Sequence, residues 1–330
     1  MIGGQRLIDV HHHFIPRAIV EDLERFLPPG FRVIREGERL HVYEGPIRHM
    51  TLGSDDWSKP EFQLREMDAA GVDTAVLSAA VFQQFMTLEA ARVFNHELGQ
   101  VQRRYPDRFV GLAHVPPFGY DGAIEELKRA VEEDGLRGLT ITTSFRGKYP
   151  DEPEYWPLYQ CANALGLGIF VHAAGCPVES ASLDRYGLSS TLGRLIDHTL
   201  VTARVLYSGV LETFPNVHFM MGHLGGAFYG MTKRLLIEAP GRPGNKIPER
   251  DYVAQARHIW YDTAPTVWQG PAEIRHAIET LGIDRVCFGT DYPAANAIMK
   301  DGVEHIAALQ LSAEEQGRLF SENARECFHL

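Results

Sequence analysis

Short apolar runs punctuate the chain at intervals suited to strand-helix units, and they predict parallel strands over residues 7–13, 73–79, 108–115, 137–143, 168–173, 216–222, 257–262 and 284–290. Each run is continuous rather than alternating, as in strands covered on both faces. Between them the apolar residues change spacing. Phe62, Leu64, Met67 and Ala70, then Val93, Leu98 and Val101, then Ile124, Leu127, Ala130 and Val131, then Leu158, Ala162 and Leu165 follow a largely helical period. Gly71, Gly135 and Gly166 fall near the ends of these stretches, where a left-handed residue closes a last turn. Eight such units without a break in composition predict one α/β domain over residues 1–330, a (β/α)8 TIM barrel.

The segment at about 17–60 is too long for a simple connection after the first strand. Phe31 to Ile34, the turn Glu36-Gly37-Glu38 and the return Leu40 to Tyr43 form a hairpin signal. We expect a small insertion over the barrel mouth. A second irregular stretch, Ala173 to Ser190, follows strand five, and loops after strands form the working face of this fold.

Ionisable residues stand where the strands run out. His11 and His13 end the first strand, two residues apart, so both imidazoles project from one face at a Cα separation of roughly 6.6 Å and can converge on one ion. His172 ends strand five, His223 ends strand six and Asp291 ends strand eight. Such groups are seldom buried without a partner, and four strand ends carrying them point to a metal centre. His11, His13, His172 and Asp291 are the expected ligands, and the donor set suits Zn²⁺, with Mn²⁺ or Fe²⁺ compatible on ligand type. His223 is the expected catalytic base beside them, with Asp291 serving as both ligand and catalytic residue. His12 points away from its neighbours and is expected to pack behind the barrel. Asp9 shares the face of His11 and, with Asp262, is expected to support a ligand or to make a buried structural bond. His114 is expected near the mouth. Cys176 has no base paired with it and is not expected to be a nucleophile.

A net charge of −11 argues against a nucleic-acid partner or an anionic membrane surface. No apolar run reaches the 18 or more residues of a membrane span, and no basic segment followed by an apolar core opens the chain. The cysteines, Cys161, Cys176, Cys287 and Cys327, show no paired spacing, which fits a reducing, cytoplasmic setting.

Three motifs carry a resemblance. Asp9-Val10-His11-His12-His13-Phe14-Ile15-Pro16, Gly222-His223-Leu224-Gly225-Gly226-Ala227-Phe228 and Phe288-Gly289-Thr290-Asp291-Tyr292-Pro293 resemble motifs of the amidohydrolase superfamily. They are most similar to the branch containing 2-amino-3-carboxymuconate 6-semialdehyde decarboxylase. Leu64 to Asp68, Arg108 to Leu112 and Phe170 to His172 extend the similarity over nearly the whole chain. The resemblance implies one zinc per chain, held by His11, His13, His172 and Asp291, with His223 alongside. Strand four offers no lysine for a second metal, since Lys148 lies beyond its end. By the same resemblance Arg48 and Arg234 grip a substrate carboxylate, the second from a neighbouring subunit, which implies a homodimer. Where the similar decarboxylase has Pro-Trp, this chain has Ala173-Ala174, and the segment around Gly187-Leu188-Ser189-Ser190 also differs, so the pocket wall is its own. The expected activity is that of a zinc-dependent carboxy-lyase: non-oxidative decarboxylation of an unsaturated or aromatic carboxylic acid. Hydrolysis of a lactone or amide, or hydration of a double bond, is the alternative at the same centre.

Overall fold

Every predicted parallel strand forms. The strands are β1 (Ile8–His13), then, after three strands of the insertion, β5 (Thr74–Ser78), β6 (Phe109–Gly111) and β7 (Ala113–His114), β8 (Gly138–Thr142), β9 (Gly168–His172), β10 (His218–Met221), β11 (Ile259–Asp262) and β12 (Val286–Cys287). The structure, a computed structural model, describes residues 4–45, 47–53, 55–174, 183, 185–266, 269–294 and 299–330. Cys176 and most of the stretch after β9 therefore lie outside the described residues.

Pairing runs β1-β5-β6 and β7-β8-β9-β10-β11-β12, parallel throughout. β6 and β7 are two pieces of the third predicted strand. The chain bends at Leu112, whose N–H donates to Leu77 O, while Arg137 N–H donates to Gly111 O. At the other end Val10 N–H donates to Phe288 O, His13 N–H to Tyr292 O and Asp291 N–H to His11 O, which ties β1 to the last strand. This order, following the chain and returning to β1, is that of a (β/α)8 barrel. Helices alternate with the strands; Pro60–Ala70 ends on Gly71 at φ 78 and Trp156–Leu165 on Gly166 at φ 63, the left-handed caps the sequence calls for.

Two apolar layers hold the strands. One fills the space between sheet and helices. The other is interior, where Ile8, Val10, Val76, Phe170, Met220, Trp260 and Cys287 from six strands meet one another and Leu112 from the bend between β6 and β7. The C-terminal helix Asn323–Phe328 closes on this layer from below. Gly168 is required there, because a Cβ would stand 2.3 Å from the Cys327 carbonyl oxygen.

β1 is not a regular strand. Its register against β5 slips between Asp9 and His12, three residues spanning what two span on the partner. As a result Val10 and His11, adjacent in sequence, both face the interior: Val10 joins the inner layer and His11 packs on Phe170 at 4.8 Å. The slip parts Asp9 from His11. Asp9 instead shares a side with His12, whose Nδ1 lies 3.1 Å from its carboxylate, and it receives the Thr290 hydroxyl at 2.6 Å. His12 packs behind the strand against Tyr292 at 5.1 Å.

Residues 31–52 form an antiparallel sheet of β2 (Phe31–Glu36), β3 (Arg39–Glu44) and β4 (Ile47–Leu52), with Gly37 at φ 62 in the first turn. The first two strands are the expected hairpin, and the third is an addition. After it, Trp57 O accepts from Ile15 N at 2.8 Å, and Gln63 donates to His13 O at 2.8 Å and Asp56 O at 2.7 Å, so the segment is fastened to the end of β1.

Candidate metal centre

His11, His13, His172 and Asp291 are all buried, and one ligand atom from each lies within 4.8 Å of every other. The imidazole centroids are 4.9–5.1 Å apart. Asp291 Oδ1 stands 2.9 Å from His13 Nε2 and 3.3 Å from His11 Nε2.

The outer nitrogens are all engaged. His11 Nδ1–H donates to Asp262 Oδ2 at 2.9 Å and His172 Nδ1–H to the Ala173 carbonyl at 2.7 Å; His13 Nδ1 meets Ser78 Oγ at 3.1 Å. Because Ala173 offers only an acceptor, Nε2 of His172 carries the lone pair, and Nε2 of His11 and of His13 turns inward toward Asp291 Oδ1. His11 Nε2 is buried with no hydrogen bond among the described residues. Such outer bonds orient ligating imidazoles and raise their basicity.

The electrostatics call for a cation. Burial disfavours charge on His11, yet Asp262 and Asp291 overcome it and push its pKa up to about 10. Burial brings His13 down to about 4 and takes His172 well below its ordinary range. Burial also works against the Asp291 carboxylate, but His11 and His13 hold it well below the usual carboxylate value. Three inward Nε2 atoms and one carboxylate make a donor set that fits a divalent ion, which would take the place of the proton on His11, with a coordination position to spare. Lys148, the only lysine near the end of strand four in sequence, pairs with Glu152 at 3.1 Å and Glu154 at 2.9 Å, away from this cluster.

His223 stands beside the cluster, 4.9 Å from His11 and 5.9 Å from His172 by ring centroids. Its N–H donates to Asp262 Oδ1 and its Nδ1–H to the Ala264 carbonyl, both at 3.0 Å, which leaves Nε2 with a free lone pair. Burial lowers its pKa, so the ring is neutral near pH 7. Asp262 thus holds His11 with one oxygen and His223 with the other, and also receives Ala264 N at 2.9 Å. His223 and Asp291 both adopt left-handed backbone, at φ 54 and 64, which is uncommon for residues with side chains and concentrates at functional sites. Glycines make room: a Cβ on Gly289 would lie 2.8 Å from that of His11.

Trp57 stacks on His13, with centroids 6.2 Å apart and planes at 7°. His114 is structural; its Nε2 accepts Ala79 N–H at 2.9 Å, Asn95 binds its backbone N–H at 2.8 Å, and Phe94 covers the ring at 4.4 Å. The two expected arginines are exposed, Arg48 on β4 and Arg234 on the π-helical turn Lys233–Glu238, and among the described residues no hydrogen bond or ion pair joins either to the cluster. Sequence reasoning passed over a third. Arg194, Asp197 and His198 lie on the Leu192–Ser208 helix, and the His198 ring is 5.0 Å from His223. Their three- and four-residue spacing within a helical stretch was the available signal.

Known proteins share this framework. A family model described as amidohydrolase matches residues 8–330. A 2-amino-3-carboxymuconate-6-semialdehyde decarboxylase of Dictyostelium discoideum is 28% identical, over 97% of this chain and 90% of its own. A gamma-resorcylate decarboxylase of Rhizobium sp. (strain MTP-10005) is 27% identical over 99% of each. Among solved structures, 5-carboxyvanillate decarboxylase from Sphingomonas paucimobilis superposes with a TM-score of 0.81 at 24% identity, over 99% of this chain and 100% of that one. A dihydroxybenzoic acid decarboxylase from Polaromonas sp. JS666, solved with bound manganese and 2-nitroresorcinol, gives a TM-score of 0.77 at 21% identity over 99% and 97%.

Proposed function

We propose, from the premise that this chain belongs to the amidohydrolase family, that it is a metal-dependent, non-oxidative decarboxylase of an aromatic or unsaturated carboxylic acid. The observation that carries the reading is the buried cluster of His11, His13, His172 and Asp291 with His223 beside it, in a chain whose full-length relatives bear decarboxylase names. A single divalent ion would be held by those four residues. Zinc is the expected ion from the donor set, and the manganese of the Polaromonas relative makes Mn²⁺ the alternative. When bound, the ion supplies Lewis-acid polarisation of a substrate carboxylate and a neighbouring oxygen.

The remaining work falls to the chain. Asp262 orients His11 and His223 together, and Trp57 walls the site over His13. Arg48, and Arg234 from a partner subunit, would fix the carboxylate, and the exposed apolar Met231 and Ile237 flanking Arg234 support a partner there. The bond from carbon to carboxylate breaks, CO₂ leaves, and the electron pair stays on the carbon. That carbon takes a proton that originates in water and passes through His223 Nε2. An imidazole with a lowered pKa is a strong proton donor once charged, which suits protonation of a carbanion-like carbon.

The test is a screen of small aromatic and unsaturated acids with CO₂ and product followed together in D₂O. CO₂ should appear in step with product, and deuterium should enter the carbon that lost the carboxylate. His223→Asn should lose about 10²–10⁴-fold in turnover while keeping its metal. A product that retains every substrate carbon and adds one water would make the protein a hydrolase or hydratase instead.

A further inference from the structure

The Leu192–Ser208 helix sets His198 against His223 and carries Arg194 one turn earlier, and the decarboxylase reading uses neither. His198 is fully buried next to His223, and neither of its ring nitrogens has a hydrogen-bond partner among the described residues. The helix is pinned in place. Thr199 Oγ1 accepts Ala227 N–H at 2.8 Å, the Thr143 hydroxyl donates to Asp197, and Ala174 N–H donates to that same hydroxyl oxygen at 2.9 Å. These contacts lock it against the loop after β10 and the ends of β8 and β9.

Arg194 stands four residues before His198, hence on the same helix face and about 6 Å nearer the helix start. It is partly buried. Among the described residues the other partly buried arginines have carboxylate partners: Arg108 with Asp68, Arg129 with Glu126 and Asp134, Arg204 with Asp151, Arg250 with Glu212, Arg285 with Asp284 and Arg318 with Glu322. Arg194 has no ion-pair partner among the described residues, although its charge acts on Asp291 and on His198. A guanidinium removed from water without a carboxylate is costly, and its planar fork is shaped to receive one in two parallel bonds.

We propose that Arg194 is the chain's own anchor for a second carboxylate of the substrate, so that the preferred substrates are dicarboxylic acids whose far end points to the Leu192–Ser208 helix. The inference rests on the carboxylic-acid reading and deepens it. The reacting carboxylate sits over the four-residue cluster beside His223, and a substituent that extends past His223 toward His198 meets Arg194 one helical turn further on. A rigid ring or conjugated chain bearing two carboxylates spans that path, whereas a monoacid leaves Arg194 unpaired.

Binding tests this without turnover, by calorimetry on metal-loaded protein with isophthalate and benzoate as probes. The wild type should bind isophthalate roughly tenfold or more tightly than benzoate, the scale of one bidentate charge-assisted contact. Arg194→Gln should erase that preference and leave benzoate binding unchanged; Arg194→Lys, which keeps the charge but not the fork, should fall between. Equal affinities in the wild type, or a preference that survives in Arg194→Gln, overturn the proposal. Should the Gln variant fail to fold, a Lys variant with the wild-type ratio overturns it equally. The two readings fail separately. An Arg194-dependent preference stands even where no acid releases CO₂, and CO₂ release with an Arg194-independent ratio defeats this inference alone.

Discussion

At the scale of single residues, the buried cluster is built by partners that fix its imidazoles: Asp262 for His11 and His223, Ala173 for His172 and Ser78 for His13. Asp262 does most of this, and its position at the end of strand seven was visible in sequence while its two-sided role was not, since that depends on where the loop after β10 returns. Asp197 offers a measurable consequence. Burial pushes its carboxyl from an ordinary 3.8 up to about 7, against the lowering effect of the Thr143 hydroxyl. The folded protein therefore keeps a proton that the unfolded chain gives up near pH 4, and this contribution to stability is full below about pH 4 and lost as the pH rises through about 7. Asp197→Asn keeps an acceptor for Thr143 but cannot ionise. Its urea midpoint relative to wild type should rise between pH 4.5 and 7.5, and a difference that stays flat over that range would place the titration elsewhere. The five residues at the strand ends were legible because ionisable groups at the ends of apolar runs have few packing explanations. Arg194 and His198 were marked only by their shared helix face, which does not say to which loop tertiary packing carries it.

Among elements, the eight parallel strands and the four helical stretches were readable because burial on both faces and on one face leave different periods. β4 escaped notice: Ile47-Arg48-His49-Met50-Thr51-Leu52 is half polar and has no continuous apolar run. The slip in β1 escaped too, because a bulge is a property of register and leaves no composition signal. It made the assumed parity of Asp9 and His11 wrong while leaving His11 and His13 convergent. The junction between the Leu192–Ser208 helix and the loop after β10 is the tightest near the centre. Gly226 has φ 71, and a Cβ there would stand 2.1 Å from the Leu195 carbonyl oxygen. Gly226→Ala is expected to destabilise the fold by on the order of 1–3 kcal/mol or more in chemical denaturation. Gly230→Ala, with nothing within 4 Å, serves as the control and should change stability by no more than about 0.5 kcal/mol. Equal effects of the two would mean that the loop yields freely.

For the whole molecule, the open question is how many chains make one site. Arg234 is exposed, so its proposed part in catalysis requires a second copy. Chains carrying Arg234→Ala and chains carrying His13→Ala should each be inactive alone. Co-expressed, they should recover about a quarter of wild-type activity, because half of randomly paired dimers are mixed and each mixed dimer has one intact site. No recovery in mixed dimers isolated by two tags would return Arg234 to an ordinary surface role. Assembly within one chain has a timing of its own. His13 and Asp291 touch across 278 residues of sequence, and the bonds that tie β1 to the last strand span nearly the same interval. A chain emerging from the ribosome thus displays His11 and His13 long before Asp291. The four-residue cluster can close only once the last strand has emerged, and a ribosome stalled after β11 would carry a nascent chain with His11, His13 and His172 but without Asp291.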